Sequence, residues 1–314
     1  MNSIFNLINQ YVFSYILRFI MSIFANNFSI AIFVFTVIIN LALIPLTIKT
    51  QKSTVQQTRI RPKLDKLKAE CGDDKQKFAQ AQQQLFQKEN ISLSGGCLPL
   101  IIRLVLLLSI FYLVTSPISY LMNVDKTVLE AVKSGLPADY LNLKGYAPEI
   151  QIMQFINGGD FSKITDASLL ANVNIIKEAA QHINLTFFGI DLTKTPVFSF
   201  NFANATIEWV IPLLSFASAL ASSFISMRLQ KAVNPDAPSM ALMMLVTPFI
   251  SLWIAFKAPC ALGLYWTFSS LVAGLLQAGV QYVFSPAKLL AKERAKSIYK
   301  IYDKESKQSG SLNK

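Results

Sequence analysis

Apolar residues in this sequence gather into five long stretches, 28–46, 97–116, 207–226, 240–256 and 261–284, separated by segments where charges and amides return. A bilayer core of about 30 Å takes roughly 20 mainly apolar residues in helical form, so each stretch predicts a membrane-spanning helix. The fourth is short and bounded by Pro238 and Pro259, which predicts a tilted helix or one covered by its neighbours. Residues 4–24 are apolar too, but Asn6, Asn9, Gln10, Ser14 and Arg18 interrupt them. That mixture predicts an amphipathic helix lying along the membrane surface within residues 1–27. A cleaved signal peptide is the rival. No basic residue precedes the apolar run, however, and no small-residue cleavage site stands out.

The polar segments give the spans a direction. Residues 47–96 hold ten Lys/Arg against five Asp/Glu, whereas 117–206 hold six against eight. The tail 285–314 holds eight basic residues and three acids, and Arg228 and Lys231 lie in the connection 227–239. Short basic segments stay in the cytoplasm. The 47–96 loop, the 227–239 connection and the tail are therefore expected inside, with the 117–206 loop and the N-terminus outside.

Within 47–96, "QKSTVQQTRIRPKLDKLKAE" and "KQKFAQAQQQLFQKE" are rich in helix formers, and "CGDD" between them supplies a turn. Ile60, Leu64 and Leu67 recur at helical spacing, as do Phe78, Leu85 and Phe86. Two antiparallel helices zipped by a thin apolar seam are expected. They serve either as a solvated spacer or as a docking arm for a nascent chain, ribosome or anionic headgroups. In the outer segment, "DASLLANVNIIKEAAQHI" is amphipathic, and Pro148 and Gly158-Gly159 divide the rest into short pieces. Small helices over the outer face are expected there, with no chemistry of their own.

Composition narrows the chemistry. The chain of 314 residues is 53% hydrophobic and only 15% charged, too little charge to cover a soluble protein of that size. A net charge of +11 would suit nucleic acid, but in a membrane protein it marks basic cytoplasmic segments, so no specific nucleic acid is expected. Cys71, Cys97 and Cys260 lie far apart without ligand-like spacing, which gives neither a disulfide framework nor a metal site. His182 is the single histidine, and no nucleophile–base pair or phosphate-cradling glycine loop stands out. No catalytic residue, metal or cofactor is expected.

Chemistry enters through the polar residues inside the spans. With about 1.5 Å of rise per residue, Arg103, Asn40 and Gln277 each fall roughly 9–10 Å from the cytoplasmic ends of their spans. Ser215, Ser218, Ser222 and Ser226 are three or four residues apart and share one face of span three, and Thr247 and Ser251 are four apart in span four. A charge deep in a bilayer is costly, and such residues face a cavity or one another. Snorkelling of Arg103 to the inner headgroups, and close helix packing through the serines, are the plainer alternatives. The shared depth favours a hydrophilic groove, open to the cytoplasm and carrying one positive charge.

Several motifs resemble the YidC/Oxa-type membrane protein insertases. They are "IINLALIPLTIKTQKST", "GDDKQKFAQAQQQLFQKENISLSGGCLPLIIRL", "FFGIDLTKTP" at 187–196 and "LGLYWTFSSLVAGLLQ" from Leu262 to Gln277. The resemblance covers roughly 28–116 and 186–286, and is greatest to the shorter form of the family without a large outer domain. It implies an all-α integral membrane protein with five transmembrane helices around a cytoplasm-facing hydrophilic groove, an N-terminal interfacial helix and a cytoplasmic helical hairpin. It also implies insertion of nascent membrane proteins, alone or with the Sec translocon, without nucleotide or metal. The family's span-five Tyr-Trp motif stands here as Tyr265-Trp266, with Ser270 where an asparagine often follows. The family's groove arginine usually sits in span one, where this chain has Asn40, and its span-two glutamine position holds Arg103. The charge then stays in the groove but moves to another wall. Two other readings compete: a small-anion transporter or channel with Arg103 as selectivity element, and an assembly factor without insertase activity. Five spans with no visible inverted repeat or broken helix pair count against the transporter.

Overall fold

The computed structural model describes residues 6–72, 74–89, 94–136, 147–158, 161, 164–199, 201–233, 241–284, 288, 289, 291, 292, 294–296, 298, 299, 302, 303 and 306. Side chains are described for these residues apart from 54, 57, 58, 94–100, 103, 104, 107, 202, 229–233 and 241–245. Helices occupy all five apolar stretches: α2 (Phe28–Ala42), α5 (Ser94–Thr115), α10 (Val210–Val233), α11 (Ala241–Ala255) and α12 (Cys260–Val283). The rest is α1 (Ser14–Ile23), α3 (Ile44–Cys71), α4 (Lys75–Lys88), four short helices α6 (Pro117–Tyr120), α7 (Lys126–Gly135), α8 (Pro148–Gly158) and α9 (Ala167–Gln181), and a hairpin of β1 (Thr186–Phe187) and β2 (Ile190–Asp191). Among the described residues, Ile207–Arg228 and Cys260–Val283 are long and apolar enough to cross a bilayer, and the pair Phe28–Ala42 with Ile44–Ser53 makes a third if it is one broken span. This is an all-α membrane protein.

The first apolar stretch is not one continuous helix to residue 46. It breaks at Leu43, which corrects the expectation of no broken helix pair, and a new helix starts with Pro45 in its first turn. Proline lacks the N–H for an interior helical bond but suits a helix start, where that donor has no partner. The first bond of the new helix runs from Thr47 N to Leu43 O at 2.9 Å.

The chain divides into two compact units. The first comprises Met1–Leu41, Arg103–Ser223 and Ala241–Ala273. Its main core joins Leu17 and Ile20 of α1, Ile32 and Phe35 of α2, Leu113 of α5, Ile211 of α10 and Leu264 of α12. α1 packs only one side there. Tyr15, Phe19 and Ile23, four residues apart, stay exposed on the other side. A second core joins α6 to α9 through Ile118, Val132, Ile152, Val173 and Ile176, so the 117–206 segment carries its own packed subdomain. Asp125 and Asp166 start two of its helices by accepting backbone N–H bonds from Thr127 and from Ser168 and Leu169.

Several helix ends are pinned to this 117–206 segment. Phe28 N donates to Asn184 O at 3.0 Å, and Ser29 Oγ to Thr186 O at 2.9 Å. At the other side of the hairpin, Cys260 N donates to Lys194 O and Ala261 N to Leu192 O, both at 2.8 Å. The beginnings of α2 and α12 thus meet one short piece of chain. At the hairpin tip, Phe188 and Gly189 both have positive φ, the left-handed geometry of a tight two-residue turn.

The second unit comprises Ala42–Ile102, Phe224–Met240 and Gly274–Lys314. Its hairpin, α3 and α4, turns at Gly72, whose φ of +57° ends α3. Asp74 then caps α4 by accepting from Gln76 N and Lys77 N at 3.1 and 3.0 Å. The seam narrows to Ile60 and Phe86, with Leu64 against them. Leu67, Phe78 and Leu85 from the expected stripe are half-buried. Glu89 closes the open end, bonded to Arg59 at 2.9 Å and to Lys63. Described residues between 288 and 306 are helical.

Candidate functional site

Helix periodicity decides which polar residues of the spans meet. The serine face of α10 turns Ser215 toward α11, where its Oγ lies 2.9 Å from Ser251 Oγ. Ser218 Oγ donates to Ser215 O at 2.9 Å, and both serines are buried. Small hydroxyl side chains let two helices approach while satisfying their own polar atoms. Ser222 is half-buried. One turn further, in the second unit, Ser226 Oγ donates to Gln277 Oε1 of α12 at 3.1 Å. The amide singled out by its depth therefore has a partner on the serine face.

Asn40 is half-buried, and its Nδ2 donates to Thr36 O at 2.8 Å, one turn back along α2. Thr36 Oγ1 repeats the pattern onto Ile32 O at 2.6 Å. Asn40 belongs to the first unit and Gln277 to the second. Arg103 lies in α5, and its side chain is outside the described residues. Thr247 is exposed on α11. Tyr265 is buried in the main core of the first unit, and Trp266 packs partly buried against the same cluster. The structure thus joins Ser215 with Ser251 and Ser226 with Gln277, whereas the described bond of Asn40 stays on its own helix.

Three polar contacts had no clear signal in the sequence. Asn9 is fully buried and donates from Nδ2 to Ser109 O of α5 at 2.8 Å. Glu149 is 3% exposed and accepts from Ser119 N at 2.9 Å and Ser119 Oγ at 2.6 Å. Burial pushes its carboxyl above the usual range, against the lowering effect of those bonds. Lys194 pairs with Glu208 at 3.3 Å. The interruption of an apolar run by Asn9 was the one available hint, because a buried amide needs a partner. Among the described residues, no group of His, Cys, Asp and Glu could hold a metal ion.

Apolar helices tied to one another by buried hydroxyls and amides define an integral membrane protein of the all-α class. Residues 19–287 match the family described as the 60Kd inner membrane protein, and the chain belongs to that family. Among its relatives, the membrane protein insertase YidC of Anaeromyxobacter dehalogenans (strain 2CP-C) is 38% identical over 90 residues, covering 29% of this chain and 16% of that protein. The insertase YidC of Xanthomonas campestris pv. campestris (strain 8004) is 38% identical over 95 residues, 30% of this chain and 17% of the relative. That of Fusobacterium nucleatum subsp. nucleatum is 31% identical over 121 residues, 38% of this chain and 57% of the relative. The chain spans less than two thirds of each, and under a fifth of the first two.

Proposed function

We propose that this chain is a membrane protein insertase and chaperone, moving apolar segments of nascent proteins from the cytoplasm into the bilayer. The observation that carries the reading is the family match, which runs from α1 through the last apolar helix. Its relatives bear the name of that activity. The substrate path is a hydrophilic groove open to the cytoplasm, formed by Arg103, Asn40, Gln277, Ser215, Ser218, Ser222, Thr247, Tyr265 and Trp266. The polar tail of a substrate, often acidic, is drawn toward Arg103. Its apolar segment then passes along α10 and α12 into lipid, driven by hydrophobic partitioning. The protein works at the bacterial plasma membrane with its N-terminus outside, alone or with the Sec translocon. Ribosomes and anionic lipids are further partners of the basic hairpin and tail.

The test is complementation of an insertase-depleted strain, with crosslinking from positions beside Arg103 to a stalled single-span nascent chain. Arg103→Ala is expected to lose acidic-tailed substrates, and Asn40→Arg with Arg103→Gln to restore them. Full activity of Arg103→Ala removes Arg103 from the mechanism. Absence of nascent-chain crosslinks, with anion flux into liposomes that Arg103→Ala abolishes, would establish the channel reading instead.

A further inference from the structure

The basic residues of the second unit are not spread evenly over its surface. Lys52, Val55 and Gln56 are spaced three and four apart and share one face of α3, and Leu289, Lys292 and Lys296 share one face of the helical C-terminal segment. With Phe284 they line a single cavity of about 380 Å³. Among the described lining residues there is no Asp or Glu. Gln51 Nε2 donates to Phe284 O at 2.7 Å and holds the end of α12 against α3. Val55 is 1% exposed and forms a fixed apolar floor. Three ammonium-bearing side chains, one amide and an apolar floor make a pocket of ligand size.

The height of this pocket says what fills it. Phe284 directly follows the last apolar helix, and Lys52 lies at the end of the apolar pair Phe28–Ala42 and Ile44–Ser53. With that pair taken as one broken span, the two span ends bring the lysines to the level where hydrocarbon gives way to headgroups. Beside it, Tyr282 and Val283 are largely exposed and form an apolar strip. Further along, Tyr299 and Tyr302 are also exposed, and tyrosine is enriched at membrane surfaces. Lysine serves phosphate as a compact point charge, and Gln56 adds an amide donor for a phosphate or glycerol oxygen. We infer that the pocket between α3 and the C-terminal segment is a binding site for the phosphate headgroup of an anionic membrane lipid. This rests on the assignment of the spans in the proposed function and not on insertase activity.

The experiment is native mass spectrometry of the full chain released from micelles doped with phosphatidylglycerol or with phosphatidylcholine. The wild-type chain is expected to retain phosphatidylglycerol in preference. K52Q/K292Q should lower that retention about thirtyfold, K52R/K292R should keep it, and K66Q/K77Q, on hairpin positions outside the pocket, should leave it unchanged. Equal retention by wild type and K52Q/K292Q overturns the site, as does an equal loss in K66Q/K77Q, which would mean a general charge effect. Displacement of the lipid by millimolar inorganic phosphate would make it a free-phosphate site and overturn the lipid assignment. Loss of ribosome co-sedimentation in K52Q/K292Q with lipid retention intact would assign the pocket to the ribosome and also overturn it. Insertase activity is read separately, so failure of either idea leaves the other standing.

Discussion

Glu149 shows how one side chain can conflict with its own surroundings. It lies in the first turn of α8, where the helix dipole favours a carboxylate, and Ser119 gives it two hydrogen bonds. Burial still wins and raises its pKa above the ordinary 4.5. A carboxyl raised in the folded state binds its proton more tightly there than when unfolded. Its stabilising contribution is therefore complete below pH 4.5 and is lost as pH climbs through the raised folded value. Glu149→Gln keeps an acceptor for Ser119 and removes the charge. It should flatten the fall in stability of the 117–206 segment over that range, read as the thermal midpoint against pH. An unchanged pH profile would show that Glu149 is not the titrating group. Little of this was legible in the sequence. Glu149 was one of eight acids in the segment, and its partner is 30 residues away. The serine face was legible from helix spacing, whereas depth grouped Gln277 with Asn40 and Arg103 and gave no sign of its bond to Ser226.

Elements were easier to read than residues, because periodicity is local. The hairpin α3–α4 follows from its two stripes and its Gly72 turn, though the seam proved thinner than the stripes suggest. Glu89 helps hold its open end, and hydrogen bonding to Lys63 keeps its pKa below 4.5. Its contribution is present above that ordinary value and is lost as pH falls through the lowered folded value. Glu89→Gln should loosen the hairpin by about 0.5–1 kcal/mol at neutral pH, seen as faster amide exchange along α4. Faster exchange confined to residues far from Glu89 would contradict that role. The break at Leu43 was hidden by an unbroken apolar pattern, although Pro45 marks it. Close approach of α10 and α12 was likewise unreadable. At Gly263 an added Cβ would lie 2.7 Å from Ile211 Cγ2, a branched side chain with little freedom to move aside. Gly263→Ala should lower stability by about 1–3 kcal/mol, measured by thermal unfolding in detergent. A midpoint equal to the wild type would mean that the two helices part easily.

At the scale of the whole molecule, the deciding quantity is which side of the bilayer each connection occupies. Charge counting assigns the 117–206 segment to the outside, and the hydrogen bonds of the first unit make that assignment more demanding. The start of α2, the start of α12 and the β-hairpin are bonded together, so they must share a side. The N-terminal segment is tied there as well, through Arg18 Nη1 to Asn123 Oδ1 at 2.8 Å and Tyr120 Oη to Asn6 Oδ1 at 3.0 Å. One misplaced connection would therefore require the entire outer face to be reversed. In a variant lacking Cys71, Cys97 and Cys260, Phe188→Cys places a thiol at the hairpin tip, where the side chain is 89% exposed. Lys66→Cys places one on the exposed surface of α3. A membrane-impermeant maleimide on intact cells should label position 188 and leave position 66 until lysis. Labelling of position 66 alone would reverse the orientation. It would also place the acid-rich segment in the cytoplasm and the basic hairpin outside, against the charge rule from which the topology was built.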